Sequence, residues 1–125
     1  VIFLGKKKLS QVPSYYNSSD CLLLSLSDKF SFNKTIPAKL QTYLASKKPI
    51  LALSSGEIEN IIKKAKCGYV SKSNNVDDFQ KKILKLSKIN KRKLNILGNN
   101  GFIYLNKKFN RKIQLNRLLN SILRM

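Results

Sequence analysis

At 125 residues the chain is at most one domain, long enough to bury a hydrophobic core of ordinary size. Twenty-five Lys and Arg stand against 6 Asp and Glu, a net charge of +19, yet the hydrophobic fraction of 42% excludes disorder as the meaning of that charge. The absence of His removes the commonest general base, two separated Cys cannot assemble a metal site, and no apolar run reaches membrane-spanning length.

In chain order, VIFL at residues 1–4, closed by Gly5, predicts a short buried strand. Ser10 is placed to cap a short helix carrying Val12, Tyr15 and Tyr16, with Pro13 tolerated in its first turn. CLLLSL at 21–26 lacks alternation and predicts a strand covered on both faces, as in a parallel sheet. SDKFSFNK at 27–34 reads as a loop after the carboxyl end of that strand, where open α/β sheets bind ligands.

Thr35 to Glu57 is the stretch around which the chain is organised. Thr35 is the expected N-cap of a helix beginning near Ile36, with Pro37 in its first turn. Ile36, Leu40, Tyr43 and Leu44 recur at helical spacing, whereas Thr35, Lys39, Thr42 and Ser46 form a separate polar stripe. Pro49 opens a buried strand over Ile50 to Leu53. Ser54-Ser55-Gly56-Glu57 then turns the chain into a helix bearing Ile58, Ile61, Ile62 and Ala65, with Gly68 as its C-terminal cap.

Tyr69-Val70-Ser71 is a minimal fourth strand. Asn74 or Asn75 caps the next helix, whose Asp77 and Asp78 suit its dipole and whose Phe79, Ile83, Leu84 and Leu86 point to the core. A helical pattern with Leu94, Leu97, Phe102 and Leu105 follows, weakened by Gly98 and Gly101, and a last one runs from about Asn110. The order β-α-β-α-β-α-β with short connections predicts an α/β fold, a parallel sheet with right-handed crossovers and helices on both faces.

The basic balance favours anionic partners, although Lys is scattered through every predicted helix beside abundant Asn and Ile, as compositional bias alone produces. Cys21 and Cys67 read as buried small residues of a reduced, cytoplasmic protein. No catalytic signature stands alone: there is no G-x-G-x-x-G, P-loop or nucleophile elbow. The helix N-termini at Thr35 and near Gly56 could each receive phosphate oxygens, against the plainer reading of ordinary capping.

FLG at 3–5, VPSYYNSSD at 12–20, LLLSLSDK at 22–29, TIPAKLQTYLASKKPILA at 35–52, GEIENII at 56–62, CGYV at 67–70 and LGNNGFIYLNKKF at 97–109 occur in that order. Together they resemble the C-terminal domain of GT-B-fold glycosyltransferases of family 4, the group 1 family, and most of all members that build bacterial surface polysaccharide and O-antigen. The resemblance implies the C-terminal part of a GT-B fold with a Rossmann-like sheet. It also implies an enzyme that binds a nucleotide-diphosphate sugar between two domains and transfers the sugar with retention to a glycan or lipid-linked acceptor.

In such enzymes the helix corresponding to residues 36–47 presents its N-terminus to the donor diphosphate and carries a Glu that contacts the ribose. Thr35, Lys39, Thr42, Gly56 and Glu57 are therefore the expected donor-binding residues, with Thr35 and Lys39 on the diphosphate side. The ribose-binding Glu falls on Thr42, and the other acid of the family's Glu-x7-Glu pair near Lys34. The resemblance implies no metal and no further cofactor, and it identifies no catalytic residue here.

A chain opening at Val1 within a strand reads as a fragment, residues 1–125 being a partial C-terminal donor-binding domain that lacks the N-terminal domain and the first part of the C-terminal one, with no transferase activity alone. Two other readings stand beside this one. A catalytically inactive relative is suggested by Thr42, and a small basic nucleic-acid-binding module by the charge. No nucleic acid is expected as partner, since Tyr43, Phe79 and Phe102 fall on apolar helix faces. The basic surface also suggests docking on an anionic membrane, at the inner face of the plasma membrane.

Overall fold

The computed structural model describes residues 1–27 and 34–124. Three apolar runs form strands: β1 over Leu22–Ser25, β2 over Ile50–Leu53 and β3 over Gly68–Ser71. They pair in parallel in the order β1-β2-β3, with Leu22 opposite Ile50 and Leu24 opposite Ala52, and Ile50 and Ala52 opposite Gly68 and Val70. Because side chains alternate along a strand, this register sorts the apolar residues onto two faces.

The first face carries Leu22, Leu24, Ile50 and Ala52. Against it lie Leu40, Tyr43 and Leu44 of helix α2 (Ala38–Ala45) and Ile58, Ile61, Ile62 and Ala65 of helix α3 (Glu57–Ala65), all buried in one cluster. Helix α1 (Val12–Ser18) joins the same side through Tyr16, whose ring meets that of Tyr43 edge-on at 5.4 Å. In α3 the spacing i, i+3, i+4, i+7 aims all four apolar side chains inward. Its acids Glu57 and Glu59 sit in the first turn and Lys63 and Lys64 in the last, as the helix dipole favours.

The opposite face carries Leu23, Leu51 and Tyr69, and helix α4 (Val76–Ser87) crosses it over β3 and β2. Two longer helices follow, α5 (Lys91–Lys108) and α6 (Arg111–Leu123). The protein is thus a Rossmann-like α/β sheet with helices on both faces, as the element order predicts.

Several local expectations are corrected. VIFL is not a strand: Val1, Ile2, Phe3 and Leu4 are exposed, because an apolar run becomes a strand only beside a neighbour that completes its ladder, and no described strand lies alongside it. Ser10 lies inside a 3₁₀ turn over Leu9–Gln11, and Gln11 is the N-cap of α1. The helix expected from Ile36 starts two residues later. Pro37 takes an extended conformation (ψ 143°) as the N-cap, and its ring disfavours a helical Ile36, which is instead exposed. Most of the loop expected over 27–34 lies outside the described residues.

β1 is not covered on both faces. Leu23 is 49% exposed because α4 packs chiefly on β3 and β2, leaving an open groove of about 370 Å³ lined by Cys21, Leu23, Leu51, Phe79, Ile83 and Leu86. For the same reason Leu86 alone of α4 is buried, and Ile83 and Leu84 are exposed. Gly68 does not cap α3. Lys66 takes the left-handed position (φ 52°), and Gly68 is the first residue of β3, where a Cβ would stand 1.8 Å from the Ile50 carbonyl oxygen. Gly98 and Gly101, which weaken α5 as an isolated helix, are buried where it packs on α2.

Candidate functional site

In a parallel sheet every strand ends on the same side, and a helix that follows a strand starts there too. The carboxyl edge of this sheet therefore gathers the ends of β1, β2 and β3 and the N-termini of α2, α3 and α4. Serine hydroxyls stitch this edge together. Ser54 is buried and donates to the Ser55 carbonyl at 3.3 Å, and buried Ser71 donates to the carbonyls of Lys72 and Asn75, each at 3.4 Å. Ser73 reaches past β2 to donate to the Leu26 carbonyl at the end of β1, 3.2 Å away.

The helices differ in how they begin. Asn75, Asn90 and Asn110 cap α4, α5 and α6 with side-chain oxygens that accept first-turn N–H groups. At α2 and α3 the N-cap residues are Pro37 and Gly56, and neither has a side chain able to do this. Gly56 has φ 72° and ψ −133°, a conformation open to glycine almost alone, and it turns the chain sharply from β2 into α3. First-turn N–H groups and the positive end of a helix dipole are together an anion-binding arrangement.

Of the expected site residues, Thr35 is exposed and precedes the N-cap of α2 by two positions. Lys39, in the first turn, is exposed with its Nζ 5.6 Å from the centre of the Tyr43 ring. Tyr43 is itself fixed by a hydroxyl that donates to the Leu23 carbonyl at 3.2 Å. Gly56 and Glu57 stand together at the start of α3, where a Glu57 carboxylate oxygen accepts from the Asn60 side chain at 3.3 Å.

Thr42 faces elsewhere. It lines a groove of about 520 Å³ between α1 and α2, with Tyr16, Asn17, Ser46 and Lys47, and its hydroxyl donates to the Ala38 carbonyl at 3.3 Å. The polar stripe of α2 therefore runs from the carboxyl edge into the α1–α2 groove. Ser71 and Ser73 were not among the expected residues. A Ser at the end of a three-residue run carries no local signal, and only the parallel pairing brings it to the edge.

The cysteines are not reactive groups. Burial pushes the Cys21 thiol up to about 11 and the Cys67 thiol up to about 12, so both stay protonated at neutral pH and lack the thiolate a nucleophile needs. Among the described residues no three His, Cys, Asp or Glu side chains come together as a metal site would require.

A family model described as glycosyl transferases group 1 matches residues 1–103. The chain belongs to the group 1 glycosyltransferases. No curated protein and no solved structure matches it. A group 1 glycosyltransferase domain works on a sugar donor and an acceptor, and the match spans the whole sheet and helices α1 to α4. It stops within α5, so α6 lies beyond it. Among the described residues no helix is long and apolar enough to cross a membrane.

Proposed function

We propose that this group 1 glycosyltransferase binds a nucleotide-diphosphate sugar at the carboxyl edge of its sheet. The sugar goes to a glycan or lipid-linked acceptor in bacterial surface polysaccharide or lipopolysaccharide biosynthesis, in the cytoplasm at the inner face of the plasma membrane. The chain supplies the donor side of a GT-B fold. The observation that supports this reading best is the pair of helices opening at that edge on Pro37 and Gly56 without a side-chain cap.

The chemistry follows from that geometry. Departure of the nucleotide leaves growing negative charge on the diphosphate. The N-terminus of α2 and the Lys39 ammonium oppose that charge with dipole and cation, without a metal. Thr35 offers a hydroxyl to the same phosphates. Gly56 lets the donor approach the backbone of the β2–α3 turn, and the Glu57 carboxylate is an acceptor for sugar or ribose hydroxyls.

Titration calorimetry of the chain with UDP, GDP and their sugars tests the reading. Binding of at least one of them, weakened by replacing Lys39, is the expected result. Failure of every nucleotide to bind would overturn it. Thr42 favours one second reading, a relative that binds the nucleotide without turning it over, since a hydroxyl cannot accept both ribose hydroxyls as a carboxylate does. Nucleotide binding that tightens on Thr42→Glu would favour that reading, since it would show that the ribose contact is what this chain lacks.

A further inference from the structure

Lys39 stands in the first turn of α2, one turn before Tyr43, so the two side chains are neighbours on the helix surface. The Lys39 ammonium lies 5.6 Å from the centre of the Tyr43 ring, and among the described residues no carboxylate pairs with it. Lys7, Lys47 and Lys85 also lie over rings, those of Tyr15, Phe102 and Tyr69, but these three rings are only half-buried. Tyr43 is 6% exposed and is held from two further sides.

On one side stands Tyr16 of α1, whose ring meets it at 86° in an edge-to-face pair. The other hold is its hydroxyl. In a parallel ladder a residue points its N–H and C=O at one neighbouring strand, and the next residue points its own the opposite way. Leu22 N and Leu26 N donate to the carbonyls of Pro49 and Leu53 at 2.9 and 3.1 Å, which aims the even-numbered residues of β1 at β2. The Leu23 carbonyl therefore faces the outer edge of β1, where no described strand pairs with it, and the Tyr43 hydroxyl donates to it there at 3.2 Å. A buried phenol needs such a partner, and this one fixes the ring between α1, α2 and β1.

We propose that Tyr43 is a positioning residue for the nucleotide-diphosphate donor, its anchored ring holding the Lys39 ammonium in place beside the uncapped N-terminus of α2. A lysine stem gives up much rotamer freedom when its ammonium meets a phosphate, and a ring that restricts the stem beforehand lowers that cost. A carboxylate partner would hold the stem too, but it would cancel the charge that the diphosphate needs. The face of an aromatic ring attracts the ammonium and leaves its charge whole. The inference rests on the reading of the carboxyl edge as a donor site, and it adds a residue that itself touches no donor.

The test is calorimetry of the 125-residue chain with UDP and GDP, run as a double-mutant cycle over Tyr43→Leu and Lys39→Ala. Tyr43→Leu is expected to weaken nucleotide binding about threefold while Lys39 is present and to leave it unchanged in the Lys39→Ala background. Tyr43→Phe keeps the ring, so it should retain affinity within about twofold although the lost bond to Leu23 lowers the unfolding midpoint. A merely structural Tyr43 would make affinity follow stability in both variants, and that result would overturn the inference. Equal weakening by Tyr43→Leu with and without Lys39 would overturn it as well. Should Tyr43→Leu fail to fold, proton NMR of the unsubstituted chain reads the contact: the Lys39 ε-methylene protons are expected upfield of those of the other lysines, and an ordinary position would overturn the inference. Nucleotide binding that depends on Lys39 but shows no coupling to Tyr43 would leave the donor site standing and remove this inference alone, whereas binding of neither nucleotide would remove both.

Discussion

Gly98 of α5 lies directly against the backbone of Lys47 at the end of α2: a Cβ at position 98 would stand 1.9 Å from the Lys47 carbonyl oxygen and 3.0 Å from Lys48 N. Lys47 is itself left-handed (φ 57°), and its ammonium rests 4.3 Å from the centre of the Phe102 ring one turn further along α5. The closeness of the two helices therefore depends on having no side chain at 98. On helix propensity alone Gly98→Ala would stabilise α5 by about 1 kcal/mol. The clash with backbone, which cannot move aside as a side chain can, reverses the sign. Urea unfolding is expected to show a net loss of about 1–3 kcal/mol, and a gain would mean that α5 does not dock here.

Lys66 ends α3 in the left-handed conformation at φ 52° and ψ 42°. A Cβ makes that conformation costly, and glycine adopts it freely. Its carbonyl accepts from the Asn100 side chain at 3.1 Å, a contact that survives replacement of the side chain. Lys66→Gly should raise stability by about 0.5–1 kcal/mol, read from the same unfolding curves.

Cys67 gives the stability a dependence on alkaline pH. Its thiol is raised from the ordinary value of 9.0 to about 12, by burial before any other cause. Below pH 9 the thiol is protonated in both states and its contribution is complete. Above pH 9 the unfolded chain ionises first, so stability falls until the folded thiol itself titrates near pH 12. Between pH 7.5 and pH 10 the loss attributable to this residue is about 1 kcal/mol. Cys67→Ala should flatten that part of the pH profile, whatever it does to stability at pH 7.5.

Lys39 is exposed and holds nothing in the core, so its replacement separates binding from folding. Lys39→Ala should weaken nucleotide-diphosphate binding by about tenfold, the loss of one charge-assisted hydrogen bond, with the unfolding midpoint unchanged. Unaltered affinity would remove Lys39 from the donor site. Thr42→Glu is the complementary change. If ribose reaches the α1–α2 groove, a carboxylate there should tighten binding by about tenfold, and calorimetry with the nucleoside diphosphate reads it directly.

Ser73→Ala examines the stitching of the carboxyl edge. Losing the hydrogen bond to the Leu26 carbonyl should cost about 1 kcal/mol. It should also speed amide exchange at the end of β1 before it affects the middle of β2, where Ile50 and Ala52 are fully buried. Uniform loss of protection across the sheet would show that Ser73 supports the whole fold.

The sequence alone determined which segments are helix and which are strand over most of the chain. Ile58, Ile61, Ile62 and Ala65 declare α3 by their spacing, Asn110 and the pair Asn74-Asn75, of which Asn75 is the cap, declare where α6 and α4 begin, and the unbroken runs Leu22–Leu24 and Ile50–Leu53 declare parallel strands. The group 1 character was legible too, in segments whose order and residues match the family over 1–103. These signals lie within one element, where periodicity and capping act between near neighbours in the chain.

Only the tertiary structure decided what depends on a distant partner. VIFL has the apolar content of a strand but no ladder beside it, and Leu23 has that of a core residue but a helix on its face that packs chiefly on β3 and β2. Gly98 is a defect in an isolated α5 and a requirement once Lys47 lies against it. Thr42 and Lys39 share one stripe of α2, yet α1 turns the first into a groove wall and leaves the second open. Burial and access belong to pairs of elements, and a single element's pattern cannot specify which neighbour it meets.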